Sequence, residues 1–260
     1  MARCSRGVKP HPISVGGAYE PSGIGYPASV TDGEYAANEY VEVPRQVILS
    51  EVSVRSVALG CWFSLILADD GRLFSCGLAA SGGLGHGGRR PNVVRPKQIE
   101  ALQNVCVSCM AAGHSNAIAV TVGGRVYVWG DRANISPRDN VLLPTLVEAL
   151  VNERVSFVAA MCERSCAVTE DGELYTWGRD GGYGTLGHGD EEAQPTPRRV
   201  EALRGCRIAT VAVGELHTLV ASDDASVYGF GLSSRLGFGT VSHESQLTPR
   251  RIPNLKVWLG

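Results

Sequence analysis

From Ser56 to Leu255 the chain runs through one pattern of apolar and polar positions four times. Each copy has a small-apolar run, a tight turn, an aromatic pair that ends in glycine, and a proline followed three residues later by a β-branched residue. The copies are Ser56–Leu102, Val107–Leu150, Val155–Leu203 and Ile208–Leu255. The aromatic pairs close on Gly77, Gly130, Gly178 and Gly231, in steps of 53, 48 and 53 residues. The prolines Pro44, Pro96, Pro144, Pro197 and Pro249 follow in steps of 52, 48, 53 and 52, so the tail of a fifth copy precedes the four. A fixed period of this size marks a repeat architecture.

Within a copy the period is that of strands, and no window has the length and spacing of a helix. In Glu173–Gly178 side chains alternate, so Tyr175 and Trp177 share one face and Leu174 and Thr176 the other. The equivalent pairs are Phe74 with Cys76, Tyr127 with Trp129, and Tyr228 with Phe230. Upstream of them, Asp70-Gly71, Gly123-Gly124 and Asp171-Gly172 sit between apolar runs, which predicts two-residue hairpin turns. The fourth copy has Ser222-Asp223-Asp224-Ala225 there, which predicts a looser or longer turn and a less certain register. Each copy thus offers about four short strands in ~50 residues, and strands apolar on both faces imply sheets covered from both sides.

The composite pattern of V-A-x-G-x-x-H-[ST], D-G-x-[VL]-[YF]-x-W-G, L-G-H-G and P-x-x-V resembles the regulator of chromosome condensation repeat family. The likeness runs from about Val43 to Leu255. It implies an all-β fold: a β-propeller of four-stranded antiparallel blades, with about four full blades plus part of a fifth. Relative to the family's seven-bladed ring that set is incomplete, since seven repeats need about 350 residues. Residues 1–40, with Pro10, Pro12, Pro21, Pro27 and six glycines, read as an irregular N-terminal segment, and 41–260 as the propeller repeats.

Net charge is −2 with 24 basic and 26 acidic residues, which argues against broad, charge-driven binding to nucleic acid or membrane. No apolar stretch has the length of a signal-peptide core or a membrane span, so an intracellular setting, cytoplasmic or nuclear, is expected. The first 19 residues carry Arg3, Arg6 and Lys9 and no acid, as mitochondrial presequences do, but Pro10, Pro12 and Gly16-Gly17 break the helix such a signal needs. The eight cysteines read as small apolar residues.

Several constellations dissolve on inspection. Cys106 and Cys109 have zinc half-site spacing, but in a strand an offset of three puts them on opposite faces, and Cys162 and Cys166 would stand ~13 Å apart. Gly182–Gly187 matches G-x-G-x-x-G, yet Pro195 and Pro197 follow where a helix would have to supply amides and a dipole. His86 and His188 lie in equivalent places two copies apart. His217 corresponds to Phe63, Asn116 and Arg164, a variation no reacting role survives. No serine, cysteine or carboxylate stands in a nucleophile or acid–base motif, so no catalytic residue, cofactor or metal is assigned and no enzyme is expected.

One recurrence is not absorbed by folding. A cation follows the repeated proline at Arg45, Lys97, Arg198 and Arg250, with Thr145 the exception. Such a row could meet acidic partner surfaces or phosphates, or it could guard a sheet edge against pairing. The non-recurring stretches Ala133–Asn140 and Thr240–Gln246 fall in loops, where recognition concentrates. The leading expectation is a non-enzymatic protein-interaction module or scaffold. The alternative, implied by the resemblance alone, is guanine-nucleotide exchange on a Ran-like small GTPase coupled to chromatin binding. A hydrolase or oxidoreductase in the propeller channel is a third class that architecture alone does not remove.

Overall fold

The computed structural model describes residues 49, 52–80, 82–89, 91–130, 141–239 and 244–256. Arg45, the expected irregular segment 1–40, and most of the loops 133–140 and 240–246 lie outside these. The described residues form four antiparallel sheets, each a meander of four strands that are consecutive in the chain. The first blade is β1 Val54–Leu59, β2 Phe63–Ala68, β3 Leu73–Gly77 and β4 Val93–Gln98. The second is β5 Val107–Ala112, β6 Asn116–Thr121, β7 Val126–Gly130 and β8 Val141–Leu146. The third is β9 Val155–Met161, β10 Arg164–Thr169, β11 Leu174–Gly178 and β12 Gln194–Arg199. The fourth is β13 Ile208–Val213, β14 His217–Ser222, β15 Ser226–Leu232 and β16 Ser245–Lys256. The architecture is that of propeller blades, as the pattern predicts.

The turns differ from expectation in a specific way. Thr121 N–H donates to Arg125 O at 2.9 Å and Gly124 N–H to Thr121 O at 2.9 Å, so three residues form the turn and only the last needs positive φ. Gly71, Gly124 and Gly172 take that place at φ 83°, 80° and 81°. In the fourth blade Ala225 takes it at φ 65°, with Ala225 N–H donating to Ser222 O. Pairing of Ala221 with Val227 repeats that of Val120 with Val126, so this turn is neither longer nor out of register. Asp224 explains it: its carboxylate accepts from Ser222 Oγ and from Ser226 N and Oγ, holding an alanine where glycine would relax.

The proline landmark encodes a bulge. In every blade a step of two along the third strand spans a step of four along the outer one, as where Thr176 pairs Arg198 and Gly178 pairs Gln194. Pro96, Pro144, Pro197 and Pro249, which cannot donate to a ladder, sit inside that irregularity. Three 3₁₀ turns, Glu100–Leu102, Glu148–Leu150 and Glu201–Leu203, then lead out of the outer strand, each burying its leucine.

The core lies between blades. β2, β6 and β10 are buried on both faces, and three apolar clusters fill the three junctions. Trp129, Trp177 and Phe230 face the preceding blade at equivalent places and are fully buried. Backbone bonds repeat from junction to junction: Val107, Val155 and Ile208 donate to Gly71, Gly124 and Gly172 O at 3.0, 3.2 and 2.9 Å.

Candidate functional site

The proline-linked cations occupy matching places on successive outer strands. Lys97 pairs in register with Ser75, Arg198 with Thr176, and Arg250 with Gly229. The structure therefore spreads them over the outer strands of blades one, three and four and does not gather them at one point. Blade two interrupts the row with Thr145, whose Oγ1 donates to Leu143 O at 3.0 Å. Arg45 falls outside the described residues.

Each cation has a local contact but stays exposed. Lys97 Nζ lies 3.1 Å from Glu100 Oε1, Arg198 Nη1 3.5 Å from Asp190 Oδ2, and the Arg250 guanidinium 4.6 Å from the Phe238 ring centroid. Solvent-exposed pairs of this kind contribute only about 0–1 kcal/mol, so these contacts hold the cations only weakly. Arg199 differs. It contacts Glu201 at 2.8 Å and Glu173 at 2.6 Å, and the hydrogen bond to Glu201 is first among the causes that hold it above the ordinary arginine range. It belongs to its own blade.

Below the row sit His86 and His188. The Ser75 hydroxyl donates to Leu84 O at 2.7 Å, so it accepts from His86 Nε2–H at 3.0 Å. Thr176 does the same, donating to Leu186 O at 2.7 Å and accepting from His188 Nε2–H at 2.9 Å. Burial is the largest cause that keeps both rings below the usual imidazole value. Both tie the L-G-H-G loop to the third strand of their own blade.

The G-x-G-x-x-G stretch already holds an anion, and it is the protein's own. The Asp180 carboxylate accepts from the amides of Tyr183 at 2.9 Å, Gly184 at 2.7 Å and Leu186 at 3.1 Å. Those amides are not available to a phosphate. Beside it, Arg164 donates to Thr185 Oγ1 at 2.7 Å and to Gly214 O at 2.5 Å, and also to Glu215 O. With the residue 4% exposed, burial pulls its pKa down. In sequence Arg164 shows only as a departure from a histidine position, and Asp180 belongs to no repeated motif. The legible signal was an acid directly before a glycine-rich loop. The repeated Glu-Ala-Leu triplet was likewise present and unread.

Cys166 is fully buried between blades three and four, and burial pushes its thiol up to about 12. Among the described residues no group of three or more His, Cys, Asp or Glu is placed to hold a metal ion, and no helix is long and apolar enough to cross a membrane.

The model for the Regulator of chromosome condensation (RCC1) repeat matches residues 70–120 and 171–221. Each match starts in a hairpin turn and ends in the second strand of the next blade. The chain is 36% identical over 217 residues to human E3 ubiquitin-protein ligase HERC2, covering 83% of this chain and 3% of that protein. It is 32% identical over 225 residues to the Ultraviolet-B receptor UVR8 of Arabidopsis thaliana, covering 85% of this chain and 40% of that protein. The chain thus spans less than half the length of these relatives. Among solved structures, human WBSCR16 superposes with a TM-score of 0.71 at 23% identity, covering 82% of this chain and 58% of that one. Prp20p from Saccharomyces cerevisiae gives 0.68 at 21%, covering 80% and 52%. At these identities the likeness is one of fold.

Proposed function

The chain belongs to the regulator of chromosome condensation repeat family, and we propose that it acts as a non-enzymatic protein-interaction module whose outer-strand cations meet an acidic partner surface. The observation that carries this reading is a division of labour among polar groups. Most buried ones, among them the Arg164 Nη atoms, Asp180, Thr185, Ser75 and Thr176, are committed to one another and to backbone, with Arg164 Nε, Asn116 Oδ1 and Trp177 Nε1 the exceptions among the described residues. Lys97, Arg198 and Arg250 instead stand exposed at one register on three outer strands, and Arg45 extends the row by sequence. Rim charges of this kind steer encounter and select partners more than they add affinity. The partner is intracellular, cytoplasmic or nuclear.

Quantitative affinity capture with the wild type and with the Lys97→Glu, Arg198→Glu, Arg250→Glu variant tests the reading. The expected result is selective, salt-sensitive loss of specific partners from a variant that keeps its melting temperature. Unchanged capture overturns the cationic surface. Replacement of loops 133–140 and 240–246 is the companion arm for recognition by loops.

A second reading is regulation of a small GTPase. Prp20p is described with binding properties to Gsp1p and histones, and its fold is shared here. Acceleration of nucleotide release from a panel of small GTPases supports it, and no acceleration with any of them removes it. The ligase name of HERC2 refers to a protein of which this chain matches 3%, and that activity is not carried over.

A further inference from the structure

We infer that the outer strand of blade two is an apolar docking point for an extended, acidic protein segment. Aliphatic or aromatic side chains of that segment meet Leu143 and Leu146, and its carboxylates meet the cations of the blades on either side, Lys97 and Arg198. The inference rests on the reading of those cations as partner-facing and supplies the centre of the contact.

The evidence is a comparison of the repeat with itself. Strand pairing puts Leu146 opposite Tyr127, the place that Gln98 holds opposite Phe74, Arg199 opposite Tyr175 and Arg251 opposite Tyr228. One residue earlier, Thr145 stands where the other blades carry Lys97, Arg198 and Arg250. Directly before the repeated proline blade two has Leu143, and the others have Arg95, Thr196 and Thr248. Three blades fold with polar side chains at these places, so folding does not require leucine there. Leu143 is 48% exposed, and Leu146 and Tyr127 are only half-buried.

Blades one and three are both packed beside blade two, so this exposure does not depend on any further blade. The neighbouring L-G-H-G loop is also in place, with Gly87 N–H donating to Leu142 O at 3.0 Å, and Leu143 is exposed in spite of it. The hairpin turn at the end where β8 finishes carries the same kind of change. Val122 is 54% exposed there, whereas its equivalents Asp69, Glu170 and Asp223 are paired with Arg55, Arg154 and Arg207. Among the described residues the large exposed hydrophobics outside β1 and β16 are Val122 and Leu143, and both belong to blade two.

Charge decides what covers this surface. Stable interfaces have an apolar centre depleted of charge inside a polar margin. Packed sheets stand about 10 Å apart, and a standard interface takes about 800 Å² from each partner, so a partner centred on Leu143 reaches the outer strands of blades one and three. There it meets Lys97 and Arg198, which select carboxylates. A second copy would bring its own outer-strand cations against them, so the surface is not self-complementary. Pro144 has no N–H and sits inside the bulge, so the strand edge is a poor template for ladder pairing and the contact is made by side chains.

Selection of a phage-displayed library of random dodecapeptides on the whole chain tests this. Fluorescence anisotropy then measures the enriched peptides against wild type, Leu143→Arg with Leu146→Gln, and Lys97→Glu with Arg198→Glu. Enriched peptides are expected to combine aliphatic or aromatic residues with Asp and Glu, and to bind wild type less tightly as salt is added. Each pair of substitutions should weaken them by about tenfold or more. The leucine replacements are the residues that blade one carries, so the melting temperature should hold; Leu143→Thr, as in blades three and four, is the substitute if that variant does not fold. Peptides weakened by the charge variant alone overturn the apolar docking point and leave the cationic surface standing. Peptides without acids, weakened by the leucine variant alone, overturn the acidic occupant together with the cationic reading. Enrichment of no peptide, or binding indifferent to both variants, overturns docking at this strand. So does self-association of wild type that the leucine variant abolishes, which would make the occupant a second copy.

Discussion

Arg164 Nη2 donates to the carbonyl of Gly214, fifty residues later in the chain, at 2.5 Å. At the neighbouring junctions the same end of the blade is tied by backbone, Cys61 N–H to His114 O at 3.1 Å and His114 N–H to Cys162 O at 3.0 Å. Between blades three and four a side chain makes the tie instead.

Replacing Arg164 by methionine therefore strands the Gly214 and Glu215 carbonyls and should cost about 2–4 kcal/mol. Arg164→Lys should recover little, because an ammonium cannot reproduce a planar fork that reaches Thr185 and Gly214 together. Urea denaturation of the three proteins checks this. Equal stability of Arg164→Met and wild type would show that the tie contributes nothing.

Asp180 makes a local prediction. Asp180→Ala removes the acceptor for the amides of Tyr183, Gly184 and Leu186, and a loss of about 1–3 kcal/mol is expected. Hydrogen exchange should accelerate first at residues 182–187, well before the β10 ladder is affected.

The Trp129 indole donates to Gly83 O at 2.8 Å across the first junction. Phe230 fills the equivalent place at the third, so Trp129→Phe keeps an acceptable shape and loses mainly this bond, about 1–2 kcal/mol. Trp129→Ala adds a cavity and should cost about 3–5 kcal/mol. Thermal melts of the pair separate hydrogen bond from packing.

At the hairpin turns the sign of a substitution should reverse between blades. Ala225, at φ 65°, becomes more comfortable as glycine, by about 0.5–1 kcal/mol. Gly124→Ala should destabilise by more than about 1 kcal/mol, since its Cβ would stand 2.9 Å from Arg154 Cα at φ +80°. Chemical denaturation midpoints give both signs.

Burial holds His86, His188 and His217 below their ordinary 6.5. The unfolded chain then binds more protons than the folded one between the folded and unfolded values, so stability is full above about 6.5 and declines as pH falls through that window. Replacing His86 and His188 by glutamine, which can still donate to Ser75 and Thr176, should flatten stability between pH 7 and 5. An unchanged slope would rule out these rings as its source.

Much of the fold was legible because a four-stranded blade writes its pattern locally. The alternation in Glu173–Gly178, the glycine that closes it, and the proline that follows belong to contacts within one blade or its immediate neighbour. The turn in blade four was misjudged because Asp224 rescues Ala225 through side-chain hydrogen bonds that no apolar pattern records. The G-x-G-x-x-G stretch reads in sequence as a repeat loop, but what fills it, Asp180, is set by a loop closing on itself in three dimensions.

The sequence by itself determined the repeat, its strands, the places of its turns and the recurrence of a cation after four of the five repeated prolines, since each depends on periods of two residues or of about fifty. Only the tertiary structure decided what the recurrences mean. Equivalent residues acquire different environments because a blade has two unlike neighbours: Val158 is sealed by the blade before it, whereas Val57, in the same register, meets solvent. Burial is a property of what packs against a residue, and that information lies in the arrangement of blades, not in the order of amino acids within one.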